Sequence, residues 1–276
     1  MKPPPFDYAR CDSMDEALSL LAEHGEEARV IAGGQSLMAM LNMRLLRPSV
    51  LVDIAELDEL NYINDSSGWV EIGATTTQAV LESWPGLNSR LPLVAAAIPH
   101  IGHFQTRNRG TICGSLCHAD PSSELPLCLA ALGGEVVLRS RRRKRVLNAK
   151  EFQVGMLTTA KQDDEIMVAA RYPAAQRGFG YAFRELSRRH GDFAIVALAG
   201  VAGGGKIRLG VGGLAEAPMV REWDDHLKDE DLADALNDFA WELRGSDDIH
   251  ATARYRREMV RRLGKKVIDE ARRCAS

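Results

Sequence analysis

The chain has 276 residues, of which 45% are hydrophobic and 26% charged, with a formal net charge of -3 and a pI near 6.2. This balance provides no basic surface of the kind that nucleic-acid binding needs, so no nucleic-acid partner is expected. The proline-rich first residues do not resemble a signal peptide, and the longest apolar stretch, residues 193–202, is about half of the roughly 20 residues that span a bilayer. Because five cysteines occur without an export signal, we expect a cytoplasmic protein with reduced thiols.

Residues 1–55 predict a small α/β lobe. The predicted elements are a helix over 13–23, a strand over 28–32, a helix over 37–45 and a strand over 50–54. Gly25 is expected to end the first helix. A glycine turn, Gly33-Gly34, lies between the first strand and the second helix.

Residues 56–173 predict a second lobe that ends at Pro173. Its predicted elements are a strand over 69–73, a helix from Gln78, a helix over 94–98, and strands over 135–138 and 166–172. Residues 100–126 are rich in Gly, Ser, Thr and Asn, which indicates a loop. The basic run Arg139–Arg145 could contact a nucleic acid, an acidic subunit or an anionic substrate, but without interleaved aromatic residues it is better interpreted as a hairpin tip.

Residues 178–276 predict a separate C-terminal domain. The predicted elements are a strand over 180–186, a helix of small residues over 193–201, a hairpin around 206–211, and amphipathic helices in the last fifty residues. We expect these helices to pack on one face of a small sheet.

Two segments have the composition of a dinucleotide-binding site. Gly33-Gly34 follows a strand and precedes a helix, so its backbone could approach a diphosphate closely, although a plain tight turn fits the same pattern. The segment Gly110–Pro126 places hydroxyl, carboxyl and imidazole groups among small residues. It suits either an extended polar ligand or a solvated surface loop.

Other catalytic patterns find no support in the sequence. Cys113, Cys117 and Cys128 lack a paired C-x-x-C spacing, so we interpret them as buried thiols and predict no metal site. No Ser-His-Asp triad, Walker loop or H-E-x-x-H helix is present. We therefore assign no catalytic residue to this chain.

Several motifs in order along the whole chain resemble one known family. They are residues 6–8, 32–37, 51–53, 72–77, 105–110, 110–126 and 191–194. Together they are similar to the FAD-binding medium subunit of molybdenum hydroxylases, the group that includes the carbon monoxide dehydrogenase medium chain and the FAD domain of xanthine dehydrogenase. The resemblance implies an α+β fold: a two-lobed FAD-binding domain of the vanillyl-alcohol-oxidase (PCMH) type, then a C-terminal domain with a three-stranded antiparallel sheet and helices.

The resemblance also implies which residues bind FAD. The implied positions are Ala32, Gly33, Gly34, Gln35, Ser36, Leu37, Ala74, Ile101, Thr111, Gly114, Ser115, His118, Asp120, Ser123, Glu124, Arg184 and Phe193. The two glycine loops would contact the diphosphate, and His118 to Glu124 would lie along the adenosine and ribityl parts. Ser115 stands where the family usually has Asn, Cys113 where glycine is common, and Glu124 where Asp is usual.

Arg184 and Phe193 have two possible interpretations. By resemblance, they correspond to the basic and aromatic or apolar positions near the isoalloxazine. The alternative is a charged strand end with Phe193 in the core. The sequence alone leaves both open.

The function implied by the resemblance is electron transfer by an FAD-carrying subunit. Electrons would come from a small iron-sulfur subunit and leave to an external acceptor, while a large molybdopterin subunit holds the molybdenum-pterin cofactor, in a dimer of heterotrimers. The alternatives are a self-contained FAD-dependent oxidase or dehydrogenase and a non-catalytic nucleotide-binding or docking module. Carbon monoxide, purines, N-heterocycles and aldehydes all remain open as substrates of the complex.

Overall fold

A computed structural model of the chain describes residues 2–275. Its first elements are β1 (Asp7–Arg10), α1 (Met14–His24), β2 (Ala28–Ile31), α2 (Leu37–Asn42) and β3 (Val50–Asp53). The strands form a three-stranded parallel sheet in the order β1-β3-β2. The carboxyl ends of all three strands therefore lie at one edge of this sheet, beside the Gly33-Gly34 turn.

Helix α1 shows how closely local sequence determines this region. The Ser13 hydroxyl caps the helix by accepting a hydrogen bond from the Glu16 N–H at 3.2 Å, and Gly25 ends it with a φ of +53°. Its apolar positions, including Leu18 and Leu21, are buried. The helix predicted over 13–23 is confirmed.

The middle of the chain is built on a five-stranded sheet. Its elements are β4 (Ile63–Ser66), β5 (Trp69–Gly73), α3 (Gln78–Glu82), α4 (Leu87–Arg90), α5 (Pro92–Ala97), α6 (Phe104–Arg109), α7 (Ile112–His118), α8 (Glu124–Leu132), β6 (Glu135–Arg139), β7 (Lys144–Asn148), α9 (Ala149–Phe152), β8 (Gln153–Gly155), β9 (Thr158–Thr159) and β10 (Ile166–Pro173). The sheet order is β4-β5-β10-β6-β7, and β8 and β9 form a separate two-stranded ribbon. Strands β6 and β7 pair as a hairpin whose last register pair is Arg139 with Lys144, which confirms the predicted hairpin tip.

Three helices replace the loop predicted over 100–126. The Thr111 hydroxyl caps α7 by accepting a hydrogen bond from the Gly114 N–H at 3.0 Å, while Ile112 and Leu116 are buried. Nearly every residue of α8 is buried, so its sequence carries no amphipathic period. The loop prediction was wrong because the polar residues cap helices instead of forming an open segment.

The C-terminal part contains a four-stranded antiparallel sheet, where the resemblance implied three strands. Its elements are β11 (Gly180–Leu186), β12 (Val196–Gly203), β13 (Lys206–Gly212), β14 (Met219–Asp224), α10 (Asp229–Glu242) and α11 (Ala253–Ala275), with the strands in sequential order. The helix predicted over 193–201 is wrong, because most of that run is β12. This strand is apolar throughout because helices cover both of its faces, and a Cβ on Gly200 would lie 2.6 Å from Val267 of α11.

Two hydrophobic cores meet at the four-stranded sheet. The larger core includes α8 and residues of β12 such as Ala197 and Ala199. The smaller core lies between the sheet and the helices α10 and α11. Among residues 2–275, no helix is both long and apolar enough to cross a membrane.

Candidate cofactor site

The first glycine loop, Ala32 to Ser36, connects β2 to α2 at the carboxyl edge of the parallel sheet. Gly34 has a φ of +70°, a left-handed conformation that favours glycine. The Gly34 carbonyl then accepts a hydrogen bond from the Met38 N–H at 3.1 Å. Gln35 is exposed, and the other four residues are half-buried. The loop therefore presents backbone and one amide side chain at an accessible edge.

The second loop, residues 109–115, contacts the first loop at Gly33. A Cβ built on Gly33 would lie 2.0 Å from the Arg109 carbonyl oxygen and 2.9 Å from the Cα of Gly110. The turn between α6 and α7 is itself fixed by a 2.8 Å hydrogen bond from the Gln78 N–H to the Gly110 carbonyl. The two small-residue segments of the sequence thus form one continuous surface.

The start of α7 offers polar groups on this surface. Gly114 is exposed and Ser115 is half-buried, next to the buried capping residue Thr111. The Oε1 atom of Gln78 is buried and has no hydrogen-bond partner among the described residues. It lies directly under the second loop, 3.3 Å from the position of a Cβ built on Gly110.

A groove of about 400 Å³ runs beside the first loop. Its polar wall contains Tyr8, Asp53 and Arg109, and the Tyr8 hydroxyl donates a hydrogen bond to Asp53. None of these three was predicted as a site residue. The guanidinium of Arg109 can pair with an anion, and its place just before Gly110 was the one available sequence signal.

Four further predicted residues lie at the other end of α7 and at the start of α8. His118 is half-buried, and burial lowers its pKa, while the charge of Asp120 opposes that shift. The Asp120 carboxylate accepts a hydrogen bond from the Ser122 N–H at 2.8 Å, so it shapes the turn that leads to Ser123. Because α7 rises about 1.5 Å per residue over seven residues, this end lies roughly 10 Å from the Thr111 end.

Glu124, the first residue of α8, faces another acid. Its carboxyl group is within hydrogen-bonding range of Glu185 on β11. Burial is the main cause that raises the pKa of both carboxyl groups; the charge of Glu124 raises the pKa of Glu185 further, whereas the hydrogen bond with Glu185 lowers that of Glu124. Glu185 was missed by the sequence analysis because its role depends on a contact between distant segments.

Ala74, Ile101 and Leu37 contribute mainly shape. Ala74 is 2% exposed and donates its N–H to the Val168 carbonyl at 3.0 Å. Ile101 is 9% exposed and Leu37 is half-buried at the start of α2. Their side chains can limit a ligand by contact and offer it no polar group.

Arg184 and Phe193 do not join the two loops. Arg184 donates hydrogen bonds to Glu270 of α11 at 3.0 and 2.7 Å, on the face of β11 opposite to Glu185. Phe193 is 67% exposed in the connection before β12, so its placement in the core is wrong. The structure thus gives no support for Arg184 near the cofactor and leaves Phe193 accessible.

The cysteines lie apart from ligand groups. Cys113 and Cys128 are buried and Cys117 is half-buried, and burial raises the pKa of each thiol. Within the described range 2–275, no group of three or more His, Cys, Asp or Glu side chains could hold a metal ion. These thiols behave as packing residues, as the sequence indicated for Cys113 and Cys128.

The joined loops fit an extended dinucleotide. The close approach at Gly33 leaves backbone, rather than side chains, facing the groove, and Arg109 supplies positive charge for a diphosphate. The arrangement therefore suits binding and positioning of a ligand.

Comparisons with known proteins agree with this geometry. A family model described as the FAD binding domain in molybdopterin dehydrogenase matches residues 4–175. The chain is 38% identical over 283 residues to the 6-hydroxypseudooxynicotine dehydrogenase complex subunit alpha of Paenarthrobacter nicotinovorans, covering 98% of this chain and 96% of that protein. It is 36% identical to the nicotine 6-hydroxylase medium subunit of the same organism, with 98% and 99% covered.

A solved structure shows the same fold. It is the carbon monoxide dehydrogenase of Hydrogenophaga pseudoflava in a form that lacks the Mo-pyranopterin moiety of the molybdenum cofactor. The TM-score is 0.93 at 32% identity, and the match covers 98% of both chains. The relatives named here are subunits of multi-subunit oxidoreductases.

Proposed function

The chain belongs to the family of FAD-binding domains of molybdopterin dehydrogenases, and from that premise we propose that it transfers electrons between a partner subunit and an external acceptor. The observation that carries this proposal is the contact of the two glycine loops at Gly33 and Arg109. It gives one surface for an extended dinucleotide. A chain built in this way holds a redox cofactor and leaves substrate chemistry to another polypeptide.

Different residues of the two loops bind different parts of FAD in this proposal. We assign the diphosphate to the first loop and the start of α7, and the sugar chain to the end of α7 and the start of α8. The assigned residues are Ala32, Gly33, Gly34, Gln35, Ser36, Thr111, Gly114, Ser115, His118, Asp120, Ser123 and Glu124. Leu37, Ala74 and Ile101 shape the site, and Phe193 stays available to cover the ring. Arg109 joins this set on the basis of its charge and its place in the wall of the groove.

Bound FAD supplies an electron carrier that can exchange electrons singly or in pairs. The related subunits named above support a multi-subunit complex around this chain. We propose a small iron-sulfur subunit as electron donor and a large subunit that holds the molybdenum-pterin cofactor, assembled as a dimer of heterotrimers. The relatives that act on nicotine-derived compounds make an N-heterocycle one candidate substrate, and it would be oxidised on the large subunit.

The test compares the isolated chain with its complex. The chain reconstituted with FAD is mixed anaerobically with a candidate iron-sulfur subunit that has been reduced with dithionite and freed of excess reductant, and visible absorbance follows the flavin. We expect the flavin to bleach when the partner is added and to recover with an electron acceptor. A preparation that retains no FAD would contradict the proposal. Turnover of an organic substrate by the isolated chain would instead support a self-contained oxidase or dehydrogenase.

A further inference from the structure

Two buried carboxyl groups face each other where α8 meets the four-stranded sheet. Glu124 begins α8 and is 7% exposed, and Glu185 lies near the end of β11. Both oxygens of Glu185 are shielded from solvent and accept no hydrogen bond from an N–H or hydroxyl donor in the described chain. The nearby Ser187 hydroxyl donates to the Arg189 carbonyl at 2.9 Å, although it lies close enough to Glu185 to oppose the rise in the pKa of that carboxyl group. Such a pair needs an explanation, because buried carboxylates normally have donors or cations around them.

Among residues 2–275, the charges that act on the two carboxyl groups are those of other acids, and no cation offsets them. The group that faces the pair from the preceding turn is Asp120, whose charge opposes ionisation of Glu124, and α8 itself adds the buried Cys128, whose thiol stays neutral because its own pKa is raised. Helix α5 and strand β12 contribute apolar side chains to this junction. Of the nearest charged groups, Arg184 pairs with Glu270 on α11.

Arg208, which lies further away, is also engaged by other groups. Arg208 of β13 donates to the Ala131 carbonyl at the far end of α8 and pairs with Glu222. His100 packs its ring against Phe183 at 5.5 Å between centroids, and burial lowers its pKa, so it also provides no positive charge at neutral pH. The pair is therefore an acid cluster at low dielectric.

Two adjacent carboxyl groups in a buried site cannot both ionise without a large cost in free energy. Each buried ion would lose its hydration, and the two like charges would repel. A proton placed between the oxygens removes one charge and makes a charge-assisted hydrogen bond, the shortest and strongest class in proteins. The unpaired oxygens of Glu185 then have a partner after all.

We propose that Glu124 and Glu185 share one proton and that Glu185 is a positioning residue that holds Glu124 in the cofactor site. This inference rests on the proposed function, in which Glu124 contacts the sugar chain of FAD. The shared proton joins the start of α8, in the FAD-binding region, to β11 in the C-terminal sheet. Through this hydrogen bond, the position of Glu124 depends on how the FAD-binding region packs against the C-terminal sheet.

The proposal predicts the sign of the pH dependence. Burial raises the pKa of both groups in the folded protein, and the charges of Asp120 and Glu124 raise those of Glu124 and Glu185 respectively. A raised pKa means that the folded chain holds the proton more tightly than the unfolded chain. The stabilisation is therefore complete below the ordinary Glu pKa, and it is lost as the pH rises through the raised value. Loss of the proton leaves two carboxylates that push α8 and β11 apart.

The central variant is Glu185→Gln, which keeps the shape and donates one hydrogen bond to Glu124 at every pH. The matched control is Glu258→Gln, which removes an exposed carboxylate that pairs with Arg261 and Arg262 on α11. The protein without FAD is examined first by infrared spectroscopy for the carbonyl stretch of a protonated carboxylic acid. We expect the band at neutral pH in the unaltered protein and in the control, and its loss in Glu185→Gln.

The second measurement is FAD affinity between about pH 6 and pH 9. For the unaltered protein and the control, we expect binding to weaken at the upper end with a slope approaching tenfold per pH unit, as required for one linked proton. In Glu185→Gln the affinity stays flat and remains near the low-pH value of the unaltered protein.

Each outcome tests a different part of the proposal. Absence of the infrared band, or an equal pH slope in Glu185→Gln and the unaltered protein, overturns the shared proton. A band that is present together with FAD binding that does not vary with pH keeps the shared proton but overturns the positioning role. If the protein binds no FAD, the proposed function fails, while the infrared result still tests the pair.

Discussion

At position 33 the backbone leaves no room for a side chain, because a Cβ would lie 2.0 Å from the Arg109 carbonyl oxygen. Gly33→Ala must therefore separate the two loops that together form the dinucleotide surface. We expect FAD affinity to fall by roughly tenfold or more, with a cost of about 1–3 kcal/mol in the free energy of unfolding from overpacking. FAD titration by flavin fluorescence and urea unfolding measure the two effects.

Gly155→Ala is the matched control for that substitution. The nearest atoms to a Cβ at Gly155 are 3.8 and 3.9 Å away, which is ordinary van der Waals contact. Its FAD affinity should equal that of the unaltered protein. Equal affinity in Gly33→Ala as well would mean that the contact of the loops is irrelevant to the cofactor.

Individual site residues differ in how far sequence could identify them. Gly33-Gly34 and Thr111 stand in local patterns whose backbone conformation depends on neighbours in sequence. Arg109 and Glu185 acquire their roles only from tertiary contacts, so no spacing rule could select them. Alternation along β11 turns Arg184 toward Glu270, on the face opposite to Glu185, and a contact of Arg184 with FAD stays a prediction.

Among the elements, α11 is fixed to the four-stranded sheet by one buried arginine. Arg256 is 4% exposed, and it donates to the carbonyls of Ile195 and Gly213 at 2.5 and 2.9 Å and to Asp248 at 2.5 Å. Arg256→Ala leaves two backbone acceptors without a partner. We expect a loss of about 3 kcal/mol in the free energy of unfolding, measured by urea denaturation.

The same helix provides the comparison for Arg256. Arg254 is exposed one half-turn earlier, and Arg254→Ala should change the free energy of unfolding by no more than about 0.5 kcal/mol. Equal effects of the two substitutions would show that the buried hydrogen bonds do not anchor α11.

The elements that sequence predicted well are those exposed on one side. Helix α1 has an apolar face, a capping Ser13 and a terminal Gly25, so its pattern is complete within a few residues. Strand β12 and helix α8 are buried on nearly all sides, which removes the periodicity that distinguishes a strand from a helix. Their type is decided by packing partners that lie far away in the sequence.

For the molecule as a whole, the position of the C-terminal domain matters more than its boundary. We propose the divisions 1–55, 56–173 and 178–276, and the family model ends close to the last of them, at residue 175. Yet the larger core continues across that point, from α8 into β12. The Gly213 N–H also donates to the Pro121 carbonyl at 2.8 Å. The three divisions are therefore consecutive segments of the chain that the larger core joins, and the smaller core lies within the last segment.

This shared core predicts a single cooperative unfolding transition. A Cβ on Gly210 would lie 2.9 Å from Leu127 of α8, so the sheet packs on the FAD-binding region without a gap. In scanning calorimetry of the FAD-free chain, we expect one peak whose van't Hoff and calorimetric enthalpies agree. A fragment of residues 1–175 should expose the apolar face of α8 and bind a hydrophobic dye that the full chain does not. Two separate calorimetric transitions, or a fragment that binds no dye, would mean that the regions fold independently and that Glu124 can be positioned without β11.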